Sequence, residues 1–267
     1  MTAQHFLVTT GDAHLDVRSL GTGAVLVLLP GLGRPSSDLD LFAARLVDAG
    51  YRVVLPELRG IGASTGPLEH LTLHDLARDI AAVIETVGGA LAVVIGHAFG
   101  NRIARCLAAD RPDLVRLVVL LSSSGKVQPT ADIAEAIRQA QAVDTPPDVR
   151  AKAVRDAWFA PGSDIGPWLD GWSQPVMRAY LAAAEATRVE DWWTAGQADV
   201  LIVQGTCDVS APVGNGRLLR EEIGDRATLI ELADVGHAVP VEKPDLVADT
   251  VIRYLRARSE DGSSQHG

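Results

Sequence analysis

Short apolar runs alternate along this chain with longer segments whose apolar residues recur every three or four positions. Several of the short runs are continuous Val, Leu and Ile without polar alternation, which is typical of strands covered on both faces of a sheet. The pattern predicts eight strands, at residues 6–9, 15–19, 25–29, 52–55, 92–95, 117–121, 200–204 and 228–231.

The longer segments predict amphipathic helices. Apolar residues recur at helical spacing between residues 73 and 87, with Thr72 as the expected N-cap and Gly88 as the stop, and again after Pro244. The two leading strands suggest a hairpin, whereas the later strands alternate with helices. We therefore predict an α/β fold with a mostly parallel eight-stranded sheet and helices on both faces.

This alternation stops after residue 125. Helix-like pieces interrupted by Pro and Gly follow, and all five tryptophans of the chain lie among them. We predict that residues 126–195 form a helical cap inserted into a core domain, which comprises residues 1–125 and 196–258. The polar tail at residues 259–267 is expected to be disordered.

Composition narrows the classes of function. The 267 residues carry 34 Asp+Glu against 24 Lys+Arg, a net charge of −10, so neither nucleic acid nor a membrane is expected as a partner. Two cysteines without metal-ligand spacing, and no phosphate-binding glycine motif, predict neither a metal nor an organic cofactor. Residues 1–10 lack the pattern of a secretory signal, so we expect a cytoplasmic protein. The sequence leaves the oligomeric state open, with a homodimer as one option.

The most informative segment follows the predicted strand at residues 92–95. It reads Gly96-His97-Ala98-Phe99-Gly100 and leads into a helical pattern. This strand, tight turn and helix resemble the nucleophile elbow of the α/β-hydrolase superfamily. In that family the nucleophile occupies a strained strand-to-helix turn, and the flanking glycines leave room for the close backbone.

The rest of the superfamily pattern follows in the expected chain order, and the resemblance covers residues 10–258. Asp208 lies just past a predicted strand, where the family keeps its acid, and His237 lies past the last strand, where the family keeps its base. The resemblance therefore implies an Asp208–His237 pair. It also implies an oxyanion hole formed by the backbone N–H groups of Leu32 and Phe99.

One position departs from the family pattern: Ala98 stands where the nucleophile is expected. A methyl group cannot attack a carbonyl, and removing the nucleophile of a triad costs about 10⁶-fold in turnover. We expect the chain to bind substrate and scarcely turn it over. Two origins are open: a Ser→Ala replacement that traps a ligand, which the retained Asp208 and His237 favour, or a natural non-catalytic relative. Serine is the favoured original nucleophile, ahead of cysteine and aspartate.

The resemblance implies a serine-type hydrolase of carboxylic esters or lactones that works through an acyl-enzyme. The aromatic cap indicates a bulky apolar or aromatic substrate, since such sites are lined by large apolar side chains. Trp158, Trp172 and Trp193 are candidate substrate contacts, and so is Arg34, although a solvated loop arginine is the simpler interpretation.

Three alternatives share the same fold. A C–C bond hydrolase of the meta-cleavage type would use the same triad. A cofactor-free lyase or oxygenase would use His237 and Asp208 as base and orienting group and would need no hydroxyl at position 98. A natural pseudoenzyme would act as a small-molecule receptor. Likeness of fold does not choose among them.

Overall fold

The computed structural model describes residues 3–89 and 91–264 of the chain. Its strands form one sheet in the order β1-β2-β4-β3-β5-β6-β7-β8. The strands are β1 (Gln4–Thr10), β2 (Ala13–Leu20), β3 (Val25–Leu29), β4 (Arg52–Pro56), β5 (Ala92–His97), β6 (Val115–Leu121), β7 (Asp199–Gly205) and β8 (Ala227–Leu232). Strand β2 pairs antiparallel with β1 and β4, and the remaining neighbours are parallel. The predicted eight-stranded, mostly parallel sheet is confirmed.

Helices connect these strands on both sides of the sheet. They are α1 (Asp40–Asp48), α2 (Leu73–Val87), α3 (Phe99–Asp110), α4 (Ala131–Gln141), α5 (Pro147–Trp158), α6 (Gln174–Ala186), α7 (Gly214–Ile223), α8 (Val239–Glu242) and α9 (Pro244–Ser264). Helix α2 begins at Thr72, which forms a reciprocal capping box with Asp75, and ends at Gly88 in the left-handed conformation. Both ends of this helix are confirmed as predicted.

The sheet separates two hydrophobic clusters. Val94 of β5 packs in the cluster with α2 and α3, whereas Val93 and Ile95 pack in the cluster with α1 and α9. Neighbouring residues of a strand point to opposite faces, so a continuous apolar strand can serve two cores at once. This arrangement explains the lack of polar alternation in the sequence.

The segment between β6 and β7 contains α4, α5 and α6. Trp158 and Trp168 belong to a small cluster within this segment, whereas Trp192 and Trp193 pack into the main core. Tyr180 of α6 is fully buried, and its hydroxyl donates to the carbonyl oxygen of Arg59 at 2.7 Å. The helices thus pack directly on the sheet domain, and the division into core and cap at residues 126 and 195 stays a prediction.

The polar tail differs from expectation. Helix α9 continues to Ser264, whereas the sequence predicts disorder from residue 259. The stretch from Ser259 to Ser264 contains no proline to end the helix, and the Ser259 hydroxyl donates to the carbonyl of Leu255, one turn earlier. Residues 265–267 lie outside the described residues. None of the helices in the described ranges is both long and apolar enough to cross a bilayer.

Candidate active site

The turn between β5 and α3 has the backbone geometry of a nucleophile elbow. Ala98 adopts φ 49° and ψ −108°, a conformation that L-residues rarely occupy. A Cβ on Gly96 would lie 2.5 Å from the backbone nitrogen of Asn101, and a Cβ on Gly100 would lie 2.5 Å from the carbonyl oxygen of Leu29. Only glycine fits at these two positions, because the strand and helix approach each other so closely.

Asp208 lies on the loop after β7 and is 4% exposed. Its Oδ2 is 2.9 Å from His237 Nδ1 and accepts a hydrogen bond from Gln204 Nε2 at 3.0 Å. Its Oδ1 accepts from the backbone N–H of Ala211 at 2.7 Å. These three contacts hold the carboxylate against the imidazole. The structure therefore brings together the two residues that the sequence pairs as acid and base.

His237 is held through its backbone as well as its ring. Its N–H donates to the carbonyl oxygen of Trp158 at 2.8 Å, and its own carbonyl oxygen accepts from the Ser122 hydroxyl at 2.6 Å and from His97 Nε2 at 2.9 Å. With Nδ1 directed at Asp208, Nε2 is the nitrogen left to exchange a proton with a ligand. The ring borders the same cavity as Ala98.

His97 is a buried structural support for His237. Burial lowers the pKa of His97 to about 3, and the nearby His237 adds to that effect. His97 is therefore neutral at ordinary pH. Since a carbonyl oxygen can only accept, the proton of the neutral ring must be on Nε2, where it donates to His237. The neutral ring fixes the base without adding a competing charge beside it.

The residues predicted for the oxyanion hole lie at the same cavity. Phe99 is the first residue of α3, so its N–H has no partner within the helix. Leu32 lies in a tight turn closed by a 3.2 Å hydrogen bond from Arg34 N–H to Gly31 O. Leu32 and Phe99 both border the cavity beside Ala98. Their role as oxyanion donors stays a prediction.

A cavity of about 230 Å³ lies over Ala98 and His237. Trp158 and Trp172 stack in its wall with ring centroids 4.8 Å apart, and Trp168 packs edge-on against both rings. Trp158 and Trp172 thus lie where the sequence analysis proposes substrate contacts. Trp168 is a cavity residue that sequence reasoning missed, because spacing alone does not show which way a ring in an irregular segment points.

Trp193 does not lie in the cavity and must be corrected as a substrate candidate. Its ring packs against Gly125 and under the guanidinium of Arg105, with 5.0 Å between the Arg105 carbon and the ring centroid. Its indole N–H donates to Glu222. Trp193 is therefore a packing residue, which joins the segment after β6 to α7.

Arg34 borders the cavity but is not the solvated loop residue that the sequence favours. It is 2% exposed and forms two hydrogen bonds with Asp38, at 2.7 and 2.9 Å. Its remaining donors reach the carbonyl oxygens of Pro167 and Asp170, and its guanidinium lies 4.5 Å from the Trp172 ring centroid. Arg34 thus fastens the Leu32 turn to the segment that carries the tryptophans.

A group of three side chains with metal-ligand chemistry lies elsewhere, on α2 and α3. The ligand atoms of His74, Cys106 and Asp110 lie within 4.8 Å of one another. His74 Nδ1 is 2.7 Å from Asp110 Oδ2, and burial raises the pKa of the Cys106 thiol. A thiol must lose its proton to bind a metal, so the raised pKa disfavours such a site. The three side chains already satisfy one another by hydrogen bonding.

Comparison with known proteins agrees with this geometry. The sequence profile described as "Alpha/beta hydrolase family" matches residues 26–250. The non-heme bromoperoxidase BpoC of Mycobacterium tuberculosis is 28% identical over 254 residues, covering 88% of this chain and 95% of that protein. Its crystal structure matches with a TM-score of 0.78 over 96% of this chain and 99% of that one.

Two proteins named as esterases are also similar. An esterase of Oryza sativa is 24% identical over 275 residues, covering 92% of this chain and 96% of that protein. The structure of an esterase from Thermogutta terrifontis superposes with a TM-score of 0.78 at 22% identity, over 96% of this chain and 99% of that one, and shows the shared fold. With an elbow, an acid and a histidine in the right order and a profile match across most of its length, the chain belongs to the alpha/beta hydrolase family.

Proposed function

We propose that this site is the acyl-transfer site of a serine-type hydrolase of carboxylic esters or lactones, with Ala98 in the place of the nucleophile. One observation carries the proposal: the Asp208–His237 pair, 2.9 Å apart, shares a cavity with Ala98, whose backbone keeps the strained elbow conformation. A serine on such an elbow, next to a histidine oriented by a carboxylate, has what nucleophilic attack on a carbonyl requires.

The mechanism begins with a hydroxyl at position 98. His237 Nε2 would accept its proton as the oxygen attacks the carbonyl carbon, and Asp208 would stabilise the imidazolium. The N–H groups of Leu32 and Phe99 would bind the oxyanion, where losing one such donor costs about 3 kcal/mol. The proton then passes to the departing alkoxide. Water, deprotonated by His237, releases the acid from the acyl-enzyme.

With Ala98 the first of these steps has no oxygen atom to perform it. We therefore expect the chain to bind an ester or lactone and to leave it intact, with turnover lower by about 10⁶-fold than with serine. The rest of the machinery does not depend on the missing hydroxyl, because Asp208 and His237 are held by Gln204, Ala211 and Trp158.

The cavity also bears on the substrate. The Trp158, Trp168 and Trp172 rings provide an apolar face for an aromatic or aliphatic group. Ligand pockets commonly span about 300–1,000 Å³, so the 230 Å³ cavity favours a compact group over the bulky one that the tryptophan count suggests. The relatives named as esterases support ester hydrolysis as the reaction.

A second candidate function rests on the same alanine. Proton abstraction from a bound ligand, as in a cofactor-free lyase or oxygenase, needs the His237–Asp208 pair but no nucleophile. A ligand receptor needs only the cavity. Both candidates require the chain to work with Ala98 in place, so they are distinguished from the hydrolase by what a restored hydroxyl adds.

The test compares the parent chain with Ala98→Ser, each treated with a neutral fluorophosphonate and analysed by intact mass. We expect one adduct on Ala98→Ser and none on the parent. Adding His237→Gln to Ala98→Ser provides the control and should abolish the adduct, because the hydroxyl would lose its base. A folded Ala98→Ser protein without an adduct would overturn the hydrolase proposal in favour of base chemistry or ligand binding.

A further inference from the structure

The cavity wall contains an arginine without an acidic partner. Arg102, on the first turn of α3, forms no ion pair with any residue in the described part of the chain, and its buried Nε has no hydrogen-bond partner there. The guanidinium contacts only aromatic rings, with its carbon 5.8 Å from the centroid of Phe99 and 5.7 Å from that of Trp192. A buried guanidinium without an anion is costly, so such a residue usually has a partner.

The other buried arginines near this site show the contrast. Arg34 is paired with Asp38 at 2.7 Å, and Arg59 is paired with Asp79 at 2.9 Å. Arg105, one turn after Arg102, is fully buried and donates only to neutral oxygens, among them Asn101 Oδ1 and Ser124 O at 2.7 Å. Two neighbouring arginines on α3 therefore contribute positive charge that no described carboxylate neutralises.

The cavity itself has the opposite charge balance to the protein. The chain has a net charge of −10, with 34 acidic residues, yet none of the described residues lining the cavity is an aspartate or a glutamate. The lining arginines are Arg34, whose charge Asp38 offsets, and Arg102, whose charge remains. An uncompensated cation in a concave, largely apolar site attracts an anionic ligand.

We propose that Arg102 binds a carboxylate on the substrate, so that the natural ligand is the half-ester or lactone of a short dicarboxylic acid. The inference rests on the proposed function, since it names the substrate class of that same site. Arg102 follows Ala98 by four residues on α3, about one helical turn of 5.4 Å, which places its charge close to the reacting carbonyl. One guanidinium matches the single charge and the fork geometry of a carboxylate.

The substrate would then lie between two different walls. Its carboxylate would contact Arg102, and its apolar leaving or acyl group would pack on the rings of Trp158 and Trp172 across the cavity. This arrangement accounts for both unusual features of the site, the aromatic face and the unpaired cation. Burial lowers the pKa of Arg102, and a bound anion would reverse that effect by stabilising the charged form.

The test uses the parent chain, which binds without turnover, and two probes that differ by one charge. Monobenzyl succinate carries a free carboxylate, and benzyl methyl succinate is its neutral diester. Quenching of tryptophan fluorescence gives both dissociation constants. We expect the half-ester to bind about 10- to 100-fold more tightly than the diester, as expected for a hydrogen-bonded charge pair. Arg102→Gln should reduce this ratio to near one, and Arg102→Lys should restore part of it.

Arg217→Gln is the matched control, because Arg217 is an exposed arginine paired with Glu231 on α7 and β8. Its half-ester preference should equal that of the parent, and thermal unfolding verifies that each variant is folded. Equal affinity of the parent for both probes, binding of neither probe, or a preference that survives Arg102→Gln would overturn the proposal.

Fluorophosphonate labelling of Ala98→Ser does not use a carboxylate, so it tests the proposed function separately. If Ala98→Ser is labelled but the half-ester is not preferred, only the substrate class is wrong. If Ala98→Ser is not labelled while Arg102-dependent preference is seen, the hydrolase proposal fails and the anion site stands.

Discussion

The backbone N–H of His237 donates to the carbonyl oxygen of Trp158 at 2.8 Å, and the N–H of Ala238 donates to the same oxygen at 3.0 Å. Trp158 is the last residue of α5, so the end of a helix between β6 and β7 holds the catalytic base. Glu242 reinforces the joint, because its carboxylate accepts from the backbone N–H groups of Ala160 and Gly236. The candidate base is thus positioned by residues far from it in sequence.

Glu242→Ala should loosen His237 without touching the cavity. Losing two hydrogen bonds to a carboxylate is expected to cost about 2–4 kcal/mol of unfolding free energy. In the Ala98→Ser background, we expect fluorophosphonate labelling to slow at least tenfold, because small displacements of a base are costly to catalysis. Stopped time points analysed by intact mass measure this rate.

Glu231→Ala is the matched control, since Glu231 pairs with Arg217 at the surface, where such a pair contributes little. Labelling at the rate of Ala98→Ser alone is expected for this control. If Glu242→Ala also labelled at that rate, Glu242 would not position the base.

Acid should destabilise the fold through His97. Its pKa is about 3 in the folded chain and near 6.5 when unfolded, so the unfolded state binds the proton more readily. Stability from the neutral ring is therefore complete above pH 6.5 and is lost as the pH falls toward 3. The loss contributes about 1.4 kcal/mol per pH unit within that window.

His97→Gln removes this titration and keeps a side-chain N–H for the carbonyl of His237. Urea unfolding of both proteins at pH 7, 6, 5 and 4 should show a shallower slope for His97→Gln, by about one proton. Parallel slopes across that range would show that His97 is not held in its neutral form.

The Arg34–Asp38 pair should be more costly to break than to remove. Arg34→Met leaves the Asp38 carboxylate buried without its partner, and breaking such a pair is expected to cost about 3–5 kcal/mol. The pKa of Asp38 is already raised by burial. The double variant Arg34→Met/Asp38→Leu leaves no stranded charge and should lose less. Urea unfolding of the wild type, two single variants and the double variant measures the coupling; additive losses would contradict it.

Gly100→Ala should disrupt the elbow. The added Cβ would lie 2.5 Å from the carbonyl oxygen of Leu29 and 2.6 Å from that of Pro30, and backbone atoms at this depth cannot move aside. We expect a loss above about 3 kcal/mol or failure to fold. Gly214→Ala is the control, because its Cβ would meet Val127 at 3.6 Å, an ordinary contact. Equal melting temperatures for the two variants would contradict this account of the elbow.

Local patterns predict the sheet and the elbow because their causes are local. A buried strand must be apolar along its length, and the crowding beside Ala98 demands glycine at positions 96 and 100. The order of elbow, acid and histidine then places Asp208 and His237 correctly.

Side-chain direction in the irregular segment is a tertiary property, so sequence could not settle it. Trp168 faces the cavity while Trp193 faces away, although both are tryptophans of the same stretch. The burial of Arg34 depends on carbonyl groups more than 130 residues away. Arg102 offered a signal that the sequence analysis passed over: a charged residue on the first turn of a helix whose face is otherwise buried.

The double hydrogen bond at Trp158 O has a consequence for how ligands reach and leave the cavity. Ser210 adds a further contact, since its hydroxyl donates to the carbonyl of Ala157 at 2.6 Å, so this end of α5 cannot swing away without releasing the base. Helix α4 borders the cavity on the other side through Ile137 and Gln141, and Ala140 is its one fully buried residue. Exchange of ligand with solvent must therefore proceed past α4, while His237 stays fixed throughout the motion.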